Sequence, residues 1–193
     1  MDKETYIIVG LGNPGTQYMH TRHNMGFDAL EVLARRWGVS MNKKSCKGLL
    51  CETSFNGKRI VLCEPQTYMN ASGECVSALI SWYKVPHDHV LVLCDDIDLS
   101  PGRMRMRANG SAGTHNGLRS IIAQLGAQDF PRLRLGVGDR PEGWDLANWV
   151  LGKPITREEA AAIEGAHAKA ADVVERWLTD GFPKAQEMAN RKD

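Results

Sequence analysis

Short apolar runs that alternate with helical patterns constrain the fold of this 193-residue chain most strongly. The run from Tyr6 to Gly10 and the run "HVLVLC" have the length and composition of buried strands. Apolar residues at helical spacing begin at Met25, and a second such pattern occupies residues 71–84. Strands that alternate with helices pack as a sheet between helical layers. We therefore predict an α/β fold, a single domain over residues 1–193 with a twisted, mixed and mostly parallel sheet.

Other local patterns refine this prediction. Asn56-Gly57 stands between two apolar runs and predicts a β-hairpin, because both residues tolerate positive φ. Strict alternation in "RMRMR" (103–107), repeated in "RLRLGVG" (132–138), predicts strands with methionine or leucine inward and arginine outward. Thr156-x-x-Glu159 is a capping-box pattern before a long helix that runs to residue 178 and ends at Gly181.

Composition excludes several classes of protein. Hydrophobic residues make up 42% and charged residues 24% of the chain, and no apolar run approaches the roughly 20 residues that a membrane helix needs. The start, Met-Asp-Lys-Glu-Thr, fits neither a signal peptide nor an Arg-rich transit peptide. The five cysteines contain no C-x-x-C pair, so we expect reduced thiols, mostly in the core. These features predict a soluble, cytoplasmic protein that does not enter a membrane.

Positive charge is concentrated in one segment. The formal net charge is only +1, yet the segment from Pro101 to Arg140 contains seven arginines against two acids. Such a band could hold a polyanion at one place, or it could be a solvated face; the charge alone favours neither. The arginines are Arg103, Arg105, Arg107, Arg119, Arg132, Arg134 and Arg140.

The glycines that follow the first strand have the spacing of a dinucleotide-binding loop. Gly10, Gly12 and Gly15 match G-x-G-x-x-G, but in that fingerprint the helix opens within the glycines. Pro14 disfavours helix here, because proline pushes the preceding residue out of the α region and offers no N–H. The helical pattern starts only at Met25. We therefore expect these glycines to form a tight turn, and an NAD-dependent oxidoreductase is the weaker interpretation.

A histidine and an aspartate are the candidates for acid–base chemistry. His23 lies in the polar loop after the first strand, and Asp95 ends the fourth predicted strand. Ligands in such sheets bind beyond the carboxyl ends of the strands, so a carboxylate there could fix the tautomer of a histidine base. An exposed loop histidine is the alternative for His23. The "DDID" carboxylates could instead bind Mg²⁺, although the pattern is weak, and Asp98 is expected to stabilise a turn.

Three asparagines occur in similar contexts, beside a glycine-containing turn or a helix start. Asn13, Asn70 and Asn116 lie in "GNPG", "YMNASG" and "THNG". An amide can bind a peptide group or polarise an ester carbonyl, and helix capping is the alternative for each asparagine alone. Because no serine or cysteine has a nucleophile motif, water would be the nucleophile in hydrolysis of an acyl bond.

The stretches "VGLGNPGTQYMHTRHNMG", "PQTYMNASG", "LCDDIDL", "AGTHNGLRSI" and "FPRLRLGVG", in this order, resemble bacterial peptidyl-tRNA hydrolase. With "VLGKP" near Gly152 the resemblance extends over nearly the whole chain. It implies an enzyme that hydrolyses the ester between peptide and tRNA and so recycles tRNA from aborted translation. It further implies a monomer that needs no metal or other cofactor, with peptidyl-tRNA as its partner.

The resemblance also implies roles for single residues. His23 matches the family's catalytic histidine and Asp95 its orienting aspartate. Asn13 and Asn70 match positions that hold the peptide and the scissile carbonyl, and Asn116 matches the one beside the base. We add Tyr18 and Tyr68, from the same stretches, as substrate-binding residues. Arg107 and Arg134 match a basic pair that grips a tRNA phosphate, and Gly152 to Pro154 match a mobile lid. The remaining alternative is a non-catalytic RNA-binding protein on the same scaffold.

Overall fold

The predicted alternation of strands and helices is present in the structure, a computed structural model that describes residues 2–192. Short 3-10 turns precede several of the helices. The strands are β1 (Thr5–Gly10), β2 (Lys43–Ser45), β3 (Gly48–Phe55), β4 (Lys58–Pro65), β5 (Val90–Asp96), β6 (Met104–Arg107) and β7 (Arg132–Gly136). The helices are α1 (Met25–Arg36), α2 (Ser72–Tyr83), α3 (Asn116–Leu125), α4 (Leu146–Val150), α5 (Arg157–Asp180) and α6 (Phe182–Asn190).

The strands form one mixed sheet in the order β2-β3-β4-β1-β5-β7-β6. The four neighbours β4, β1, β5 and β7 pair in parallel, whereas β3 and β6 run against their neighbours. The prediction of a mostly parallel mixed sheet is therefore confirmed. From β1 the chain passes through α1 to the β4 side, and later through α2 to β5 on the other side. This reversal leaves a crevice beyond the carboxyl ends of β1 and β5.

Helices cover both faces of the sheet, as predicted for a single-domain α/β fold. One apolar core lies between the sheet and α1, α5 and α6, and includes Leu30, Leu62 and Trp177. The other lies under α2 and α3, and includes Val92 and Leu118. Within residues 2–192 no helix combines the length and the apolar character that crossing a membrane requires.

The hairpin and the late start of α1 are both confirmed. Asn56 and Gly57 have φ values of 49° and 76° and connect β3 to β4. α1 begins at Met25, well after the glycine turn, and its N-terminus packs closely on the sheet. A Cβ at Gly10 would collide with the carbonyl oxygen of Gly26. The first glycine therefore permits close packing of strand on helix, which is a role without any dinucleotide.

The alternation in β6 and β7 is correct, but its prediction of outward arginines is wrong at one position. Met104 and Met106 are buried and Arg105 and Arg107 exposed on β6. On β7, however, Arg132 is fully buried, because the segment 108–115 covers that face of the strand. Its guanidinium donates to the carbonyl oxygens of that segment and of the turn before β7: Gly110, Ser111, Gln128 and Phe130.

Two remaining predictions are confirmed with small differences. The cysteines are free thiols, four of them buried and Cys46 partly exposed. Thr156 caps α5 by accepting a hydrogen bond from the Glu159 N–H at 3.1 Å. The Glu159 carboxylate, however, reaches back to the N–H of Ile155 at 2.8 Å instead of that of Thr156. The short strand β2 has no clear pattern in the sequence and was missed.

Candidate active site

A cavity of about 630 Å³ opens at the carboxyl edge of the sheet, in the crevice that the topology creates. The loop after β1, the turn before α2, the end of β5, the segment before α3 and the helix α4 surround it. It brings together all the predicted site residues of the five sequence stretches that carry the resemblance. The remaining predicted site residue, Arg107, does not line it. The polar residues that line it include Asn13, Tyr18, His23, Tyr68, Asn70, Asp95, Asn116 and Arg134.

His23 and Asp95 meet at the floor of this cavity. The His23 Nδ1 lies 3.0 Å and 2.9 Å from the two carboxylate oxygens of Asp95. A carboxylate can only accept, so Nδ1 carries the hydrogen and the Nε2 lone pair is left free as a base. The predicted pairing of a loop histidine with a carboxylate from a neighbouring strand is therefore present.

His115 binds the same carboxylate from the other side. Its Nδ1 accepts hydrogen bonds from the N–H groups of Gly117 and Leu118, and so caps α3. A neutral imidazole with one accepting nitrogen must be protonated at the other, so its Nε2 donates to Asp95 at 2.8 Å. The sequence alone leaves the role of His115 open between contact with RNA and the start of a helix. Its position directly before the helical pattern after Asn116-Gly117 was the signal for the cap, but nothing local indicated the contact with Asp95.

The two imidazoles determine the charge state of the site. Burial by itself would raise the pKa of Asp95, but His23 and His115 outweigh it and hold that pKa well below its usual range. Burial would lower the pKa of His23, whereas the neighbouring Asp95 carboxylate raises it above 6.5. Asp95 is therefore an anion at neutral pH, beside a histidine whose pKa lies above its usual value.

The same three side chains are close enough together to be considered as metal ligands. One potential ligand atom from each of His23, Asp95 and His115 lies within 4.8 Å of the others. The His115 Nδ1 is already occupied by two backbone N–H groups, so a metal at Nε2 would require the ring to lose its remaining proton. This donor set suits a hydrogen-bonded cluster better than a metal centre.

Asn13 is the most firmly oriented of the three asparagines. Its Oδ1 accepts from the N–H of Met69 at 2.8 Å, which directs its Nδ2 hydrogens to the cavity side. Its backbone is held in turn by Asn24, whose side chain accepts from the Asn13 N–H and donates to the Asn13 carbonyl. Asn13 is therefore a buried, pre-oriented amide donor.

Helix capping does not explain the other two asparagines. Ala71, not Asn70, is the N-cap of α2, and it makes no side-chain cap. α3 is capped by His115, and Asn116 is its first residue. The Asn116 Oδ1 accepts from Arg119 at 3.3 Å, so its amide nitrogen also remains available to the cavity.

The two tyrosines stand together at the mouth of the cavity. The rings of Tyr18 and Tyr68 lie 6.4 Å apart, edge to face. Tyr68 has a φ of +62° and is half exposed. A bulky residue at positive φ costs roughly 1–3 kcal/mol and is maintained where surrounding contacts determine the backbone. Here the bond from Met69 to Asn13 does so.

The arginines lie at the β7 side of the cavity. Arg134 lines it, donates to the Ser111 carbonyl at 2.8 Å and lies 3.7 Å from Asp96. Arg107 is exposed on β6 outside the cavity lining, and its cross-strand pair with Arg132 lies two pairs further from the carboxyl edge than Arg134. The residue directly opposite Arg134 is Arg105, which is also exposed. Sequence reasoning named Arg105 among the basic residues but missed this pairing.

Three further observations concern residues near the cavity. In the turn after β5 the Asp96 carboxylate accepts a hydrogen bond from the Asp98 N–H, and the turn role predicted for Asp98 stays a prediction. The wall formed by α4 was not predicted; it contributes Leu146, Val150 and the exposed Leu151. Gly152, expected in a lid, accepts a hydrogen bond from the Arg22 N–H at 2.9 Å through its carbonyl.

These features together distinguish one family of proteins. A family model described as peptidyl-tRNA hydrolase matches residues 7–193. This chain belongs to the peptidyl-tRNA hydrolase family. It is 48% identical to the peptidyl-tRNA hydrolase of Lachnospira eligens over 96% of this chain and 99% of that one. It is 47% identical to that of Chloroflexus aurantiacus over 96% and 98% of the two chains.

A solved structure of the same family has the same fold. The crystal structure of peptidyl-tRNA hydrolase from Acinetobacter baumannii superposes with a TM-score of 0.91. The two sequences are 34% identical, and the match covers 98% of this chain and 96% of that one. Membership of the peptidyl-tRNA hydrolase family and the predicted α/β fold therefore agree over nearly the whole chain.

Proposed function

We propose that this protein is an esterase that hydrolyses the bond between peptide and tRNA in peptidyl-tRNA. The observation that carries the proposal is the His23–Asp95 pair, which leaves the His23 Nε2 free beside amide donors in an open cavity. Family membership supplies the substrate class.

In this mechanism neutral His23 is the general base. Its Nε2 accepts a proton from a water molecule as that water attacks the ester carbonyl. The imidazolium that forms is stabilised by Asp95, which already holds Nδ1–H and is itself held by His115. When the tetrahedral intermediate collapses, the ester C–O bond breaks and the imidazolium returns the proton to the ribose oxygen that leaves with the tRNA. His115 thus keeps the carboxylate in place, while His23 alone exchanges the proton.

Asparagine side chains then stabilise the developing oxyanion and hold the peptide. Asn13 is the best-oriented donor, because Met69 fixes its oxygen and so the direction of its nitrogen. Asn70 and Asn116 extend the donor set across the cavity, and Tyr18 and Tyr68 offer rings at its mouth. Fixed donors of this kind are effective because they need no reorganisation during the reaction.

Arginines beside the cavity bind the tRNA in this proposal. Arg107 and Arg105 are exposed on β6, and Arg134 lies between them and the cavity. A guanidinium can grip phosphate with two parallel hydrogen bonds. Removing one such contact weakens binding of the whole tRNA and lowers its salt dependence. We further propose that the protein acts as a cytoplasmic monomer without a metal.

The decisive experiment measures release of N-blocked aminoacyl groups from tRNA by the purified protein in the presence of EDTA. We expect fast release that requires both His23 and the blocked amine, with His23→Ala and free-amine aminoacyl-tRNA as controls. No release by a folded protein that still binds tRNA tightly would instead support the RNA-binding alternative. Near-normal turnover by a folded His23→Ala variant would refute the assigned base.

The tRNA contacts have a separate test. Arg107→Ala should raise KM for full-length tRNA substrates and hardly change cleavage of a short oligonucleotide ester. Arg105→Ala is the matched variant from the same exposed face of β6. Arg134→Ala is a less specific test, because it also removes the hydrogen bond that Arg134 donates to the Ser111 carbonyl. Equal losses on long and short substrates would contradict the phosphate role.

A further inference from the structure

The residue next to the proposed base is a fully buried arginine that the mechanism does not use. Arg22 precedes His23 in the chain and is 2% exposed. A buried guanidinium is costly unless its charge and its N–H groups are satisfied. The hydrogen-bond partners of its Nε and Nη1 lie 137 and 127 residues further along the chain, and its Nη2 makes no hydrogen bond among residues 2–192.

These partners belong to α4 and α5. The Arg22 Nε donates to Glu159 Oε1 at 2.8 Å, and Nη2 lies 2.8 Å from the same oxygen. Nη1 donates to the carbonyl oxygen of Trp149 at 3.0 Å. The guanidinium carbon also lies 3.4 Å from the centre of the Trp149 ring, so the cation stacks on the indole. We call these three residues, Arg22, Trp149 and Glu159, the Arg22 clamp.

The clamp is connected to the segment between the two helices. The other carboxylate oxygen of Glu159 accepts a hydrogen bond from the backbone N–H of Ile155 at 2.8 Å. The carbonyl oxygen of Gly152 accepts a hydrogen bond from the backbone N–H of Arg22. Trp149 donates through its ring nitrogen to the Gly138 carbonyl, just after β7. A Cβ at Gly152 would lie only 3.0 Å from the Arg22 Nη1, so the backbone there closes directly over the guanidinium.

We propose that Arg22 is a positioning residue that fixes the α4 wall of the substrate cavity relative to the loop that carries His23. Val150 and Leu151 follow Trp149 directly and line the same cavity as the polar donors. The His23–Asp95 bonds do not involve the Arg22 side chain. Loosening the clamp therefore moves the wall that receives the substrate and leaves the base in place. This inference rests on the proposed function for its kinetic part only.

Arg22→Lys and Glu159→Gln test the proposal, because the first removes the Nε donor to Glu159 and the second removes the negative charge that faces the guanidinium, while each retains a polar group. Lysine cannot donate to Glu159 and the Trp149 carbonyl with one planar fork. Each variant should raise KM for an N-blocked aminoacyl-tRNA about tenfold, which corresponds to roughly 1.4 kcal/mol of binding. kcat and the pH midpoint of kcat should stay within about twofold and a few tenths of a unit of the wild-type values.

Arg36→Lys and Glu175→Gln are matched controls. Arg36 also joins α1 to α5, through Asp172 at 2.7 Å and Glu175 at 3.3 Å, and donates to the Ala168 carbonyl. This second arginine contact is more exposed and lies outside the cavity lining. Both control variants should have wild-type KM.

Hydrogen exchange provides a readout that does not need activity. In Arg22→Lys and Glu159→Gln, the amides of residues 149–156 should exchange faster, whereas those of α3 should not change. Unchanged exchange of the amides of residues 149–156 in these variants, or a fall in kcat with KM unaltered, would overturn the proposal. If one variant fails to fold, the other decides. An inactive wild type would refute the proposed function, and the exchange experiment would still decide whether the clamp exists.

Discussion

Two buried carboxylates occupy equivalent places on the two strands that flank β1. Asp95 is the next-to-last residue of β5 and Glu64 the next-to-last residue of β4. They are 3% and 6% exposed. Asp95 is surrounded by two imidazoles that donate to it. Glu64 faces the carboxylates of Glu31 and Asp28, and its Oε1 has no hydrogen-bond partner among residues 2–192.

The difference shows that neighbouring groups decide whether a buried carboxylate at this edge keeps its charge. Burial raises the pKa of both groups. At Asp95 the imidazoles reverse that effect and hold the pKa well below its usual range, so the group is an anion at pH 7. At Glu64 burial has the largest effect, and the carboxylates of Glu31 and Asp28 add to it. The pKa of Glu64 is thereby raised to about 9, so this group is neutral at pH 7. Only the first can stabilise an imidazolium.

Asp95→Asn should have the largest effect. The amide offers one accepting oxygen to two donating imidazoles, and its own N–H₂ favours the His23 tautomer with hydrogen on Nε2, which is no longer a base. By analogy with triads of this kind, kcat should fall about 10³- to 10⁴-fold. Single-turnover kinetics on N-blocked aminoacyl-tRNA measures the loss, with circular dichroism to verify folding. A kcat within tenfold of the wild type would separate Asp95 from the chemistry.

His115→Asn should have a smaller effect. Asparagine is a good N-cap, so α3 should remain capped, but its short side chain cannot reach Asp95. Loss of one hydrogen bond to a buried charge is worth roughly 1.5–3 kcal/mol, so kcat should fall about ten- to a hundredfold. His115→Ala, which removes the cap as well, is the comparison. If the two variants differ in stability and share the same loss in kcat, the contact with Asp95 is responsible.

Local sequence patterns predicted part of the fold and part of the candidate site. The strands, the Asn56-Gly57 hairpin and the late helix start follow from spacing within about ten residues. His23 and Asp95 were found because both follow strands at the same sheet edge. The contacts of Arg22 with Glu159, 137 residues apart, and the burial of Arg132 under a loop leave no local signal. Long-range packing alone decides whether such charged residues face solvent or a partner.

Glu64→Gln tests the other carboxylate through stability. A group whose pKa is 4.5 when unfolded and about 9 when folded holds a proton only in the folded state between these values. The free energy of unfolding therefore falls with rising pH there, by up to roughly 1.4 kcal/mol per pH unit. Glutamine needs no proton, so the variant should be more stable at pH 8 by about 1–3 kcal/mol. Urea unfolding at pH 6 and pH 8 measures this; a variant less stable at both pH values would show that the Glu64 charge is needed.

Activity should then depend on pH through His23, whereas stability should depend on pH through Glu64 as well as through the His23–Asp95 pair. The rate should rise with pH as His23 loses its proton, with a midpoint above 6.5 because Asp95 raises that pKa. The stability that the His23–Asp95 pair contributes is complete below pH 6.5 and is lost as pH rises through the folded pKa of His23. Glu64→Gln should make the free energy of unfolding depend less on pH, and it should leave the pH midpoint of kcat/KM unchanged. A shift of that midpoint by more than about half a pH unit would mean that Glu64 on β4 affects the pKa of His23. The carboxylates on the two strands beside β1 would then not act independently.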